Sequence, residues 1–313
     1  MSVGCPMRLK SSSPSLAASR TPKSAKRMPA VGPAEARGID GRMRSASTAR
    51  RVSRQGDQGG SDVHITILGK SPSWQDAGGA CTGYLVQEAQ TTVLLDCGNG
   101  VFAKLREAVD YSDVDHVVVS HLHADHCLDL VPFAYALTYG PRAGARPQLF
   151  VPPGGISLMR RLSELWGNAD LVDGAFRITE YDPAASLALG DLAARFTPVP
   201  HYIDTNAVEL TAPASGRRFT FSADCGPNDA LVEFARDTDL LLIEATLTDP
   251  EPGELRGHLT ATEAGEHARR AGARRVVLTH FSDEIDAGAQ QAAGTAAFGA
   301  PVELARAGVV LEL

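Results

Sequence analysis

The run His121-Leu-His-Ala-Asp-His126 constrains this chain more than any other feature of its sequence. It follows Asp115-His-Val-Val-Val-Ser120, a continuous apolar stretch of the kind that forms strands buried on both faces. In an extended segment residues i and i+2 point the same way, so His121 and His123 can grip one ion. A chain reversal at Ala124 would turn Asp125 and His126 toward a second ion close by. Imidazole with carboxylate is the donor set expected of zinc, with manganese or iron as alternatives. The expectation is therefore a centre holding two divalent metal ions.

The chain that carries this run has 313 residues, 43% of them hydrophobic, which is enough for one sizeable core. Its net charge of −7 conceals an asymmetry. Residues 1–60 hold twelve Lys/Arg and three Asp/Glu, a balance of +9, and the remainder holds eighteen and thirty-four, a balance of −16. An acidic body repels polyanions at a distance, which argues against a dedicated nucleic-acid surface. Residues 1–61 are rich in Ser, Arg, Pro and Ala, show no helical or strand period, and are expected to be disordered, with the folded domain over residues 62–313. Five cysteines (Cys5, Cys81, Cys97, Cys127 and Cys225) with no CxxC pair fit a reduced, intracellular protein. No apolar stretch approaches the roughly 20 residues that span a bilayer, and the first residues lack the apolar core of a secretory signal. The expected location is cytoplasmic, with no membrane partner.

Local patterns order the rest of the domain. His64–Gly69 alternates as a short strand, and Gly83–Val86 with Thr92–Asp96 flank Glu88-Ala-Gln90 as a hairpin. Gly98-Asn-Gly100 breaks the chain before a helical pattern through Val101, Leu105 and Val109. Leu128–Tyr139, Asp229–Arg236 and Thr260–Ala271 read as helices. Further strands are expected to end at His201, to pair Ala207–Leu210 with Arg218–Ser222, and to cover Leu240–Glu244 and, as the last clear one, Arg275–His280. Hairpins mixed with helices point to two packed sheets covered by helices.

Ser120-His-Leu-His-Ala-Asp-His126 resembles the HxHxDH signature of metallo-β-lactamase-fold hydrolases, and matches to that family continue in order from His64 to the C-terminus. The resemblance implies an α/β (α+β) fold, the four-layer αββα sandwich. It implies that Asp96, in LLDCGNG, orients ligands without binding metal. His201 in TPVPH matches the third histidine ligand, Asp224 in FSADCG the bridging aspartate, and His280 in VVLTHF the final histidine. One ion would then lie among His121, His123, His201 and Asp224, and the other among Asp125, His126, Asp224 and His280. Cys225 is an alternative donor beside Asp224, whereas His64, His116 and His267 match no motif. By the same resemblance the protein would be a homodimer.

Two further elements bear on the reaction. Ile243-Glu-Ala-Thr246 looks like the Glu-Ala-Thr element of ribonuclease Z-type enzymes, and Gly257-His258-Leu-Thr-Ala261 looks like their Gly-His-Ser/Thr motif. The likeness implies His258 as general acid, Glu244 as its orienting partner and Asp125 as the group that orients the attacking water. A poor alkoxide leaving group needs such a proton donor, whereas a thiolate does not. Ser120–Leu130, Cys81–Tyr84 and Glu244–Ala264 are also similar to bacterial enzymes of this fold that hydrolyse cyclic nucleotides. Ribonuclease Z carries a long basic arm for tRNA, and no such insertion occurs between residues 127 and 280. The expected function is metal-dependent phosphodiester hydrolysis on a small substrate such as a 3′,5′-cyclic nucleotide. The alternatives are a tRNA 3′-endonuclease, with RNA as partner, and a thioester or acyl hydrolase. Asp204, Thr205 and Asn206 follow His201 and are candidates to line the pocket.

Overall fold

The computed structural model describes residues 63–313, so the disorder expected of residues 1–61 and the domain start at 62 lie outside the described residues. In chain order the strands are β1 (His64–Gly69), β2 (Gly83–Glu88), β3 (Thr91–Leu95), β4 (His116–Val118), β5 (Gln148–Val151), β6 (Arg177–Glu180) and β7 (Leu187–Leu189). They continue as β8 (Leu192–Val199), β9 (Thr205–Ala212), β10 (Arg217–Phe221), β11 (Leu240–Glu244), β12 (Arg275–Thr279), β13 (Glu303–Leu304) and β14 (Val310–Glu312). The helices are α1 (Val101–Ala108), α2 (Ala124–Cys127), α3 (Leu130–Tyr139), α4 (Gly155–Leu165), α5 (Leu171–Ala175), α6 (Asp229–Phe234), α7 (Ala261–Ala271) and α8 (Ala287–Phe298). Two seven-stranded sheets result, ordered β14-β1-β2-β3-β4-β5-β6 and β13-β12-β11-β10-β9-β8-β7.

The period of two in the buried strands makes the layers. Along β11, Leu240 and Leu242 enter the core shared by the two sheets, beside Val86, Phe219 and Phe221. Leu241 and Ile243 point the other way and pack with Leu231 of α6 and Ala264 and Ala268 of α7. In β4, Val118 faces the shared core, while Val117 packs with Leu105 of α1 and Phe133 of α3. Each sheet is thus apolar on both faces, as the continuous hydrophobic runs require, and helices cover the outsides. This is the four-layer αββα sandwich expected from the sequence.

The β2–β3 hairpin pairs Tyr84 with Leu95 through Glu88 with Thr91, the hairpin expected around Glu88-Ala-Gln90. Other details differ. The helix expected over Leu128–Tyr139 begins only at Leu130, because the chain first makes the short α2 and breaks at Leu128 and Asp129. Arg275–Thr279 is not the last strand, since β14 returns to pair with β1 at the far edge of the first sheet. The strands β5 to β7 and helices α4 and α5 were not anticipated either. Four-residue strands such as β5 are too short to display a period, and β6 is an exposed edge.

Strand direction positions the site. β3, β4, β5 and β6 run parallel in one sheet, and β10, β11, β12 and β13 run parallel in the other. The residues that follow β3, β4, β8, β10, β11 and β12 carry Asp96, His121, His201, Asp224, Thr246 and His280.

Candidate metal centre

Three of these strand ends leave their strands through the left-handed region: Asp96 at φ 57°, Ala223 at φ 52° and His280 at φ 56°. Such conformations cost roughly 1–3 kcal/mol each for residues with a Cβ and persist where surrounding bonds impose them. Asp96 shows which bonds these are. Its carboxylate accepts from the Ser120 amide at 2.7 Å, the Ser120 hydroxyl at 2.7 Å and His126 Nδ1 at 2.8 Å. The loop after it runs against the histidine segment: the Cys97 amide donates to His126 O at 2.8 Å. A Cβ on Gly98 would stand 1.8 Å from the Asp125 carbonyl oxygen, so only glycine fits there.

Hydrogen bonding on the outer nitrogens decides which way the imidazoles face. A carboxylate only accepts, so His126 Nδ1 carries the proton bound to Asp96, and Nε2 faces the centre. His201 Nδ1 donates to the Gly257 carbonyl at 2.8 Å, which leaves its Nε2 as a lone pair. Ser120 gives its hydroxyl proton to Asp96 and therefore accepts from His121 Nδ1 at 3.0 Å. Thr246 does the same service for His280: its hydroxyl donates to Glu244 Oε2 at 2.7 Å and accepts from His280 Nδ1 at 2.8 Å. Outer partners of this type raise ligand basicity and fix the tautomer in metal sites.

The inner atoms converge on Asp224. Its Oδ2 lies 3.2 Å from His126 Nε2, 3.3 Å from His280 Nε2, 3.7 Å from His121 Nε2 and 3.9 Å from His201 Nε2. His123 Nδ1 stands 3.0 Å from His201 Nε2, and Asp125 Oδ2 stands 3.3 Å from His280 Nε2. Donor atoms within 4.8 Å of one another group His121, His123, His201 and Asp224 in one set, and Asp125, His126, Asp224 and His280 in a second. These are the two sets expected from the sequence, with Asp224 shared. The Cys225 thiol belongs to neither set, and its amide donates to Glu244 Oε1 at 2.8 Å.

A cation fits these residues on grounds of hydrogen bonding. His121 Nε2 and Asp224 Oδ1 are buried without any partner, although buried polar atoms are almost always paired. Both belong to the clustered donor sets. Burial holds His121, His123 and His201 below the ordinary imidazole pKa, which keeps their lone pairs available. Burial also opposes charge on His126 and on Asp224, but the attraction between them outweighs it, aided at His126 by Asp96 and at Asp224 by His280. His126 is raised well above, and Asp224 held well below, their usual ranges.

A third group lies beside the first two. Glu244 is fully buried and accepts from the Cys225 amide, the Thr246 amide and hydroxyl, the Leu259 amide at 3.1 Å and His258 Nδ1 at 2.9 Å. The His258 ring centroid is 5.0 Å from that of His201 and 5.6 Å from that of His280. Burial disfavours its charged form, but Glu244 and the more distant Asp224 and Glu251 reverse the balance and raise its pKa to about 9. Its Nδ1 is committed to Glu244, which leaves Nε2 as the ring's second nitrogen.

A family model described as the β-lactamase superfamily domain matches residues 91–281, which contain every one of these side chains. The chain belongs to the β-lactamase superfamily. This superfamily member is 36% identical over 224 residues to an uncharacterised protein of Mycobacterium tuberculosis, covering 70% of this chain and 81% of the other. It is 30% identical to the ribonuclease Z of Myxococcus xanthus over 308 residues, covering 80% and 98%. The crystal structure of the metallo-β-lactamase-fold protein YhfI from Bacillus subtilis superposes with a TM-score of 0.73 at 25% identity, covering 81% of this chain and all of that one. YhfI is named a probable metallo-hydrolase. The β-lactamase-superfamily chain is a metal-dependent hydrolase of this fold.

Of the three candidate residues that follow His201, Asp204 is exposed, while Thr205 and Asn206 are buried, Thr205 bonding to Ile203 O and Asn206 to Tyr181 Oη. His267 accepts from the Asn228 amide at 3.0 Å and so holds the start of α6. The parts played by Ser120 and Thr246 had no counterpart in the sequence reading. Both were within motifs already singled out, yet a hydroxyl that relays one proton while accepting another is visible only once its two partners are placed. No described helix is long and apolar enough to cross a membrane.

Proposed function

We propose that this metallo-hydrolase cleaves phosphodiesters of small substrates, with a 3′,5′-cyclic nucleotide as the substrate type. The observation that carries the reading is His258, held at Nδ1 by a buried carboxylate 2.9 Å away and standing beside both His201 and His280. A proton donor built next to a polynuclear donor set serves an oxygen leaving group, which departs as an alkoxide unless it is protonated.

In this reading His121, His123, His201 and Asp224 would hold one divalent ion, and Asp125, His126, Asp224 and His280 a second, with zinc favoured by the donor chemistry. Ions bound there would acidify water and neutralise charge developing on the phosphoryl group. Asp96, Ser120, Thr246 and the Gly257 carbonyl keep the imidazoles turned inward. Asp125 orients the attacking water and accepts its proton at the carboxylate. His258 donates from Nε2 to the leaving oxygen, and Glu244 stabilises the imidazolium before transfer and keeps Nδ1 protonated after it.

The ribonuclease Z of Myxococcus xanthus supports a second reading, the tRNA 3′-endonuclease. Two observations favour the small substrate. The ribonuclease alignment extends over 308 positions while using only 80% of this chain, so the ribonuclease carries segments absent here. The folded body is also acidic, whereas tRNA binding rests on phosphate contacts from basic residues. Turnover of bis-p-nitrophenyl phosphate, 3′,5′-cyclic AMP and a 3′-extended tRNA, each with zinc or manganese and against Asp125→Ala, tests the reading. Cleavage of cyclic AMP that vanishes in the variant is the expected result. Cleavage of tRNA alone would replace it with the endonuclease, and phosphodiester inertness in a metal-loaded protein would replace both with acyl hydrolysis.

A further inference from the structure

Between β11 and α7 the chain makes a surface strap, residues 248–258, whose two ends are pinned together. The Leu247 amide donates to Leu259 O at 3.0 Å, and Gln290 Nε2 donates to Leu247 O at 3.2 Å. The strap's outer residues are mostly exposed, yet its last two links enter the site as Gly257 and His258. Glu251, at the strap's middle, folds back over them. Its Oε2 accepts from the Gly257 amide at 2.8 Å and from the His258 amide at 3.3 Å, and its Oε1 accepts from the Tyr202 hydroxyl.

Tyr202 closes the arrangement from the other side. Its ring lies 4.9 Å from that of His201 and 5.8 Å from that of His258, and 48% of the residue is exposed. A Cβ on Gly257 would stand 2.4 Å from the end of the Tyr202 ring, so the glycine backbone passes directly beneath it. The preceding Arg256 carbonyl is pressed against Gly226, where a Cβ would stand only 2.1 Å away. The Gly257–His258 backbone is therefore held by close contacts at Gly257 and at the preceding Arg256 carbonyl, and by one carboxylate on its two amides. Neither Tyr202 nor Glu251 is one of the clustered donors, and the Gly257 carbonyl beside them accepts from His201 Nδ1 at 2.8 Å. The two side chains determine where the His258 imidazole stands relative to those donors.

We infer that Tyr202 and Glu251 are positioning residues for proton transfer, forming a latch that seats the strap so that His258 addresses the leaving oxygen. The inference rests on the reading of His258 as general acid. A hydrogen-bonded carboxylate on two consecutive amides removes the peptide rocking that would swing the imidazole, and general acid catalysis is sensitive to that placement. The latch acts only where a proton is required, so its contribution scales with the basicity of the leaving group.

The test compares Glu251→Gln, Tyr202→Phe and His258→Ala with the unaltered metal-loaded protein on two probes, bis-p-nitrophenyl phosphate and diphenyl phosphate. Phenolate is the more basic leaving group and depends more on the acid. The expected result for Glu251→Gln is a fall of about tenfold in the ratio of kcat for the phenyl ester to kcat for the nitrophenyl ester, with KM for each changed less than twofold. Tyr202→Phe should move the ratio in the same direction by a smaller factor, and amide exchange at Gly257 and His258 should accelerate in both variants. An unchanged ratio in the two latch variants with a fallen ratio in His258→Ala overturns the latch alone, even if amide exchange accelerates. An unchanged ratio in His258→Ala as well overturns the general-acid reading, and the latch with it. Equal losses on both probes would assign Tyr202 and Glu251 to site integrity and also overturn the inference.

Discussion

Glu244 Oε1 lies 2.9 Å from His258 Nδ1 and 2.8 Å from the amide nitrogen of Cys225, so one buried carboxylate oxygen joins the proposed acid to the residue that follows Asp224. The same side chain reaches Thr246, and through it Nδ1 of His280. Displacing Glu244 would thus disturb the proposed acid and one of the clustered donors together, and the two effects differ in their dependence on pH.

For Glu244→Gln the kcat of phosphodiester hydrolysis should fall by about a hundredfold, the lower range for loss of general acid catalysis. The carboxylate raises the His258 pKa above its ordinary value, because it favours the imidazolium. A general acid works while protonated, so activity is present below that pKa and is lost as pH rises through it. Removing the negative charge lowers the pKa, and the alkaline limb of the kcat profile should move to lower pH. A limb that stays in place, measured from pH 6 to 10 on one substrate, would separate Glu244 from proton transfer.

Chelation tests the donor sets without mutation. Stripping divalent ions should abolish hydrolysis and lower Tm, because ligand binding to the folded state stabilises it by about 2.7 kcal/mol at a hundredfold excess over Kd. Re-addition of zinc should restore both, with protons released as the His126 imidazolium loses its Nε2 proton and keeps the Nδ1 proton bound to Asp96. An apo protein with unaltered Tm that still hydrolyses its substrate would show that the clustered imidazoles serve another purpose.

Gly98→Ala should destroy the centre while leaving most of the sandwich folded. The added methyl group would stand 1.8 Å from the Asp125 carbonyl oxygen, so one of the two backbone segments must shift. Bound zinc per chain, measured after dialysis, should fall well below the unaltered protein's value, with the far-ultraviolet circular dichroism preserved. Full metal occupancy in this variant would contradict the close approach.

Leu242→Ala should cost about 2–5 kcal/mol in chemical denaturation, the range for truncating a buried leucine in a rigid core. Leu242 is fully buried between the sheets and is not among the clustered donors. Metal content and KM should therefore be unaffected at temperatures where the variant is folded.

Much of the site was legible in the chain because its donors are concentrated. His121, His123, Asp125 and His126 occupy six positions, and the strand before them announces itself by an unbroken apolar run. His201, Asp224 and His280 each end or follow a strand with a pattern of its own, and Glu244 and His258 lie in recognisable short motifs. Elements without a local signature were not legible. β6 is polar and exposed because it is an edge, and β14 exists only because β1, some 240 residues earlier, offers it unpaired backbone groups.

The sequence by itself determined the donor inventory, the order of the strands that deliver it, and the two-faced burial that makes a four-layer sandwich. Covalent proximity and a period of two are local properties, so they survive in one dimension. Only the tertiary structure decided the orientation of each imidazole, the proton relays through Ser120 and Thr246, and the seating of His258 by Glu251 and Tyr202. Those features depend on hydrogen bonds between residues as far apart as Thr246 and His280, or Tyr202 and Glu251. A proton's location on Nδ1 or Nε2 is set by what the other nitrogen touches, and that contact exists only after the chain has folded.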